Sequence, residues 1–195
     1  MKTTFKLAFL LFLAIPVFAK EHPKFAGIEW SFSKAQVRTA LAGKGYRFEK
    51  EIKTPNWVPR GTASYDTFEG SIVGEDVSVM IEYSPKSEIN LINIDFVGLT
   101  DVTGPKVYAE IQRTLVGKYG KPDEVKKLSV SVQSNWDCDP QRPFNGDETL
   151  FLFYDPYING PKRESVNVMY VAPRVIKANL LYHRRKEANS NKEDF

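Results

Sequence analysis

The run Asp137-Cys138-Asp139-Pro140-Gln141-Arg142-Pro143-Phe144-Asn145-Gly146-Asp147-Glu148 holds the densest set of groups able to do chemistry. Closely spaced carboxylates suit calcium, which takes oxygen ligands. Gln141 and Arg142, however, stand at the oxygen-donor and glycine places of a calcium loop, so the run reads as a polar turn and no metal is assigned. Cys138 would need an adjacent base to act as a nucleophile. The histidines, His22 and His183, lie far from it and in no cysteine-protease context. One cysteine and two scattered histidines also make no zinc ligand set. The sequence has no Gly-rich phosphate loop, no G-x-S-x-G elbow and no H-E-x-x-H, and no cofactor is expected. The enzymatic alternative is a hydrolase working through carboxylates such as Asp137, Asp139 and Asp147.

Aromatic and arginine side chains give the stronger lead. Trp57 and Arg60 fall in Thr54-Pro55-Asn56-Trp57-Val58-Pro59-Arg60, and Trp136 heads the acidic run, followed by Arg142, Phe144 and Tyr157. Trp, Tyr and Arg dominate binding hot spots, because they offer large contact areas with little conformational freedom to lose. These six residues form the expected partner-binding set. The competing reading makes both tryptophans caps over the ends of a sheet, as large aromatics are mostly buried.

The elements that must position these groups show a repeating pattern. Phe25-Ala26-Gly27-Ile28 is echoed by Phe96-Val97-Gly98-Leu99, and Leu41-Ala42-Gly43-Lys44 by Leu115-Val116-Gly117-Lys118. Ile81 to Pro85 and Asn93 to Val97 are echoed, in the same order, by Leu152 to Pro156 and Asn167 to Val171. Collinear echoes suggest duplication. Ser33 and Gln36 form a capping box, Phe32 and Val37 a hydrophobic staple, and Gly45 ends the first helix. Pro105 opens a second helix that buries Val107, Ile111 and Leu115.

Strands follow each helix. Val77, Val79, Ile81 and Tyr83 alternate with polar neighbours, as do Ile92, Ile94 and Phe96, then Leu128, Val130 and Val132, then Val166, Val168 and Tyr170. Such alternation marks sheets with one buried and one wet face. Leu150 to Tyr154 is apolar throughout and is placed centrally, and Ile176, Ala178, Leu180 and Tyr182 are expected to form a last strand. The expected fold class is α+β, with two duplicated units, each a helix packed on an antiparallel sheet of three to four strands. The units span 20–98 and 99–184, with a polar tail over 185–195. Units of about 70 residues are marginal alone, so a shared interface or one continuous sheet is expected, its wet faces forming a concave surface.

Lys2 and Lys6, the apolar run Leu7 to Val17 and the small-residue site ending at Ala19 read as a secretory signal peptide over 1–19. The expected location is therefore periplasmic or secreted, with no membrane span in the mature chain. The formal charge of +3 includes those two lysines, so the mature chain is close to neutral and carries no electrostatic footprint for nucleic acid. A single cysteine makes no intramolecular disulfide, and stability must come from packing.

The stretch Gly27-Ile28-Glu29-Trp30-Ser31-Phe32-Ser33-Lys34-Ala35-Gln36-Val37 resembles the opening of small bacterial envelope modules. From Phe25 to about His183 the pattern resembles the β-lactamase inhibitory proteins and, per unit, the small lipoprotein of the outer-membrane barrel-assembly machinery. The resemblance implies a non-catalytic exported module that binds an envelope protein, with a small ligand or glycan as the alternative occupant. The chain has neither the lipid-anchor cysteine nor the disulfides of those families, and no site residue is carried over.

Overall fold

The computed structural model describes residues 24–54, 63–128, 131–137, 148–156, 164–172, 174, 175 and 178. The elements run α1 (Lys34–Ala42), β1 (Arg47–Lys53), β2 (Ser64–Ile72), β3 (Glu75–Tyr83), β4 (Ile89–Phe96), α2 (Gly104–Tyr119), β5 (Glu124–Leu128), β6 (Ser131–Asp137), β7 (Glu148–Asp155) and β8 (Ser165–Val171). Both helices begin as their sequences predict. The Ser33 hydroxyl accepts from the Gln36 amide, and the Gln36 side chain accepts from the Ser33 amide at 2.9 Å. Pro105 stands in the first turn of α2, where no intrahelical donor is missed.

All eight strands join one antiparallel sheet in the order β1-β2-β3-β4-β8-β7-β6-β5. This overturns the expectation of two duplicated helix-on-sheet units: the described residues form mostly one continuous sheet, with α1 and α2 as its helical elements. The physical reason lies at β4 and β8, which pair from Leu91↔Val171 to Asp95↔Asn167 and leave no edge between the halves. An unpaired edge strand there would expose a row of backbone donors and acceptors. The true edges, β1 and β5, read Arg-Phe-Glu-Lys-Glu-Ile-Lys and Glu-Val-Lys-Lys-Leu, and such charge discourages further pairing.

One face of the sheet carries the core. Val79, Ile81, Ile92, Ile94, Leu150, Leu152 and Val168 are buried there with Val37 and Leu41 of α1 and Val107, Ile111 and Leu115 of α2. Burial of each such side chain contributes about 1.5–3 kcal/mol. Tyr46 lies so close over Gly70 that a Cβ there would stand 2.3 Å from its ring.

Two further strand expectations are corrected. Leu128 to Gln133 is not one strand: β5 ends at Leu128, which pairs with Ser131 at the start of the antiparallel β6. A period of two assigns faces but does not register a chain reversal. Ala178, the one described residue of the expected last strand, is helical. β1 and β2 follow no clean alternation in sequence, because their positions on the helix side of the sheet include Glu51, Lys53, Ser64 and Asp66. Among the described residues, no helix is long and apolar enough to cross a membrane.

Candidate functional site

The face away from the helices is built by strand register. Asp95 on β4 pairs with Asn167 on β8, Asn167 with Phe153 on β7, and Phe153 with Gln133 on β6. One two-residue step along, Asn93 pairs with Met169, Met169 with Phe151, and Phe151 with Asn135. Side chains two residues apart on a strand share a face, so these rows form a grid of amides, one carboxylate and two phenyl rings. β7 is the strand that makes this possible. Its Leu150 and Leu152 are fully buried in the core, while Phe151 and Phe153 stand half-buried on the opposite face. A sheet with one wet face normally puts polar residues at such positions.

Asn93, Asp95, Gln133, Phe151, Phe153, Ser165, Asn167 and Met169 line a hollow of about 420 Å³ on this face. That volume is within the range of small-ligand pockets. Asp95 lies at its polar centre. One carboxylate oxygen accepts from Asn93 Nδ2 at 2.9 Å, and the other accepts from Asn167 Nδ2. The two amides are thereby fixed in orientation. Asn93 is only 7% exposed, and its Oδ1 is buried without a hydrogen-bond partner. A buried acceptor left unpaired costs about 1–3 kcal/mol. Gln133 Nε2 donates to Asn135 Oδ1 at 2.8 Å, and Asn135 Nδ2 donates to Glu124 at 3.1 Å, which extends the polar ladder toward β5.

A second polar cluster lies on the helix side and has a different character. Arg38 grips Asp66 with two hydrogen bonds of 2.8 Å and also donates to Glu51 at 2.9 Å. Lys34 donates to Glu51 at 2.6 Å and to the Ser64 hydroxyl at 2.7 Å. The hydrogen bonds from Lys34 and then Arg38 hold the Glu51 carboxyl below its ordinary value. Burial, followed by the charge of Asp66, pushes the Tyr83 hydroxyl far above its own. Each carboxylate is tied to a cation, so the cluster clasps α1 onto β1 and β2 and does not present an acid paired with a free base.

A third feature is a wider hollow, about 650 Å³, where the start of α1 meets the turn between β3 and β4. Arg174 there is engaged by Ile89 O at 2.9 Å, Asn90 Oδ1 at 2.7 Å and Glu88 at 3.0 Å. It ties the chain beyond β8 to the turn before β4.

No known protein family, curated protein or solved structure matches this chain. The site therefore rests on its own residues.

Of the six residues expected to bind a partner, Trp57, Arg60, Arg142, Phe144 and Tyr157 lie outside the described residues. Trp136 is described and is fully buried, its ring N–H donating to Gly120 O at 2.9 Å. It is a core residue that locks β6 to the end of α2, and the surface role expected of it is corrected. Such an indole reads alike in sequence whether it caps a core or a surface. Cys138, His22, His183, Asp139 and Asp147 also lie outside the described residues, and Asp137 closes β6 opposite Glu148. Among the described residues, no group of three or more His, Cys, Asp or Glu side chains could hold a metal ion. The residues of the open face were read only as the wet half of an alternating pattern. The available signal was Leu150 to Tyr154, a strand apolar on both faces in a sheet whose neighbours alternate.

Proposed function

We propose that this chain is an exported, non-catalytic binding module of the bacterial cell envelope, and that the open face around Asp95, Phe151, Phe153 and Asn167 holds its partner. The observation that carries the reading is the second apolar face of β7, set beside a preorganised amide–carboxylate array. Two half-buried phenyl rings on the open face form an apolar patch rimmed by polar groups, the kind of surface that marks an interaction site. The leader with Lys2, Lys6 and the apolar run Leu7 to Val17 supports export.

The test uses the exported chain purified from the periplasmic fraction and the same chain carrying Phe151→Ser and Phe153→Ser. Both are immobilised and exposed to fractionated envelope material: outer membrane, inner membrane, wall and soluble periplasm. The expected outcome is saturable retention of one fraction by the native chain and loss of that retention by the variant, with unchanged circular dichroism. Equal retention by both chains, or retention of no fraction, overturns the reading.

A further inference from the structure

From the donor and acceptor balance of the open-face hollow, we infer that its occupant is a neutral polyhydroxylated ring chain, a glycan, and not a charged ligand or a metal. The inference rests on the binding-module reading and names the partner chemistry of the same site. Among the described residues the lining carries one formal charge, that of Asp95, and no lysine or arginine. An anionic ligand would meet no cation among them and one opposing carboxylate, and a lone carboxylate is a poor cage for a metal, which gathers several ligands.

The polar groups of the hollow ask for donors. Each Asp95 oxygen already accepts one amide hydrogen, which leaves further lone pairs on both. Asn93 Oδ1 has no partner but is closed off from solvent, so the acceptor open to a ligand in the hollow is Asp95. A ligand hydroxyl both donates and accepts, so it can donate to Asp95 and still accept from another side chain.

Shape points the same way. The four strands under the hollow, β4, β8, β7 and β6, span about 14 Å at ordinary strand spacing, and its lining runs along β8 from Ser165 to Met169, about 13 Å. Phe151 and Phe153 occupy adjacent positions of β7 on this face, with Met169 beside them. A broad hollow lined by apolar rings on one side and amides on the other suits a chain of rings that have C–H faces and hydroxyl edges. An extended peptide is the less favoured occupant, because the strands under the hollow are paired on both sides and offer it no backbone ladder.

The experiment follows the side-chain amide resonances of Asn93 and Asn167 in the full exported chain. Maltotetraose, cellotetraose, chitotetraose and isomaltotetraose are titrated to millimolar concentration beside tetra-alanine and tetraglutamate. The expected result is a saturable shift of both amides with at least one tetrasaccharide. That affinity falls about tenfold in Phe153→Ala, as expected for loss of one packed ring, and about tenfold in Asn93→Leu, which removes the amide that orients Asp95. Phe153 is half-buried, so its variant keeps the test valid if Asn93→Leu fails to fold. Shifts by tetra-alanine or tetraglutamate without any by a sugar overturn the glycan inference and leave the binding face standing. Silence from every probe overturns the glycan inference, and envelope retention that survives Phe151→Ser with Phe153→Ser overturns the module reading as well.

Discussion

Lys34 and Arg38 stand one helical turn apart on α1 and reach charged groups, Glu51 on β1 and Asp66 on β2. On α2, Tyr108 and Gln112 stand one turn apart in the same way and reach a neutral group, the Ser134 hydroxyl on β6, at 3.3 and 3.4 Å. Beside the first contact lies Tyr83, whose hydroxyl approaches Asp66 at 3.5 Å; beside the second lies Tyr154, its ring tilted against that of Tyr108 with centroids 5.3 Å apart. The same sheet is thus held to its two helices by an ion-pair clasp in one half and by a hydroxyl and amide contact in the other. Packing supports both halves, with Trp136 fully buried in the second and Tyr83 and Phe68 in the first. Charge and shape are alternative ways to fix a helix on a sheet. They differ in what happens when one partner is removed, because a buried charge left alone is far more costly than a neutral group left alone.

The comparison breaks or sharpens at particular residues. Trp136→Ala should have the largest effect, a loss of about 4 kcal/mol, because it opens a large cavity and removes the bond to Gly120. Urea denaturation reads this directly, and a loss under half that size would show that packing does not carry the second half. Asp66→Ala comes next. Asp66 is fully buried and Arg38 is partly exposed, so water can relieve the stranded guanidinium and the loss settles at about 3 kcal/mol. If it is no greater than that of Ser134→Ala, the charged and neutral clasps are equivalent and the contrast fails.

Arg38→Gln with Asp66→Ser transplants the neutral chemistry of the second half into the first. The double variant should retain at least about 1 kcal/mol more than the sum of its single variants allows, which a double-mutant cycle measures. Ser134→Ala should lose about 1 kcal/mol or less, since it removes two long neutral hydrogen bonds. The smallest expected effect is on acid sensitivity. The lowered folded-state value of Glu51 makes its contribution fully present above the ordinary 4.5 and lost as pH falls through the folded value. Between pH 6 and 3 the urea midpoint of the native chain should therefore fall further than that of Glu51→Gln. In hydrogen exchange the extra acid opening should appear in β1 and β2 and not in β6.

Much of this arrangement is local and was legible in advance. The capping box of Ser33 and Gln36, and the spacing of Val107, Ile111 and Leu115, set both helices and their inward faces. The strand alternation at Val77 to Tyr83 and at Val166 to Tyr170 likewise assigned the faces now observed. The clasp was not legible, because Arg38 and Asp66 are distant along the chain and nothing in either segment names the other. For the same reason Asn93, Asp95 and Asn167 appeared only as wet-face residues, although their echo in sequence places like residues on the two strands that meet. For Trp136 the sequence left a surface role and a core cap both open, and the end of α2 beside it decided for the core.

The sequence by itself determined where helices start and which way strand residues face, since capping, periodicity and proline geometry act within a few residues. Tertiary structure alone decided that β4 joins β8, that the two halves form one sheet through that pairing, and that the Asn93 and Asn167 amides, Asp95 and two phenyl rings line one hollow. Alternation fixes the face of a side chain but not its neighbour across the strand. Neighbours follow from pairing between segments far apart in the chain, where burial of whole faces outweighs any local preference.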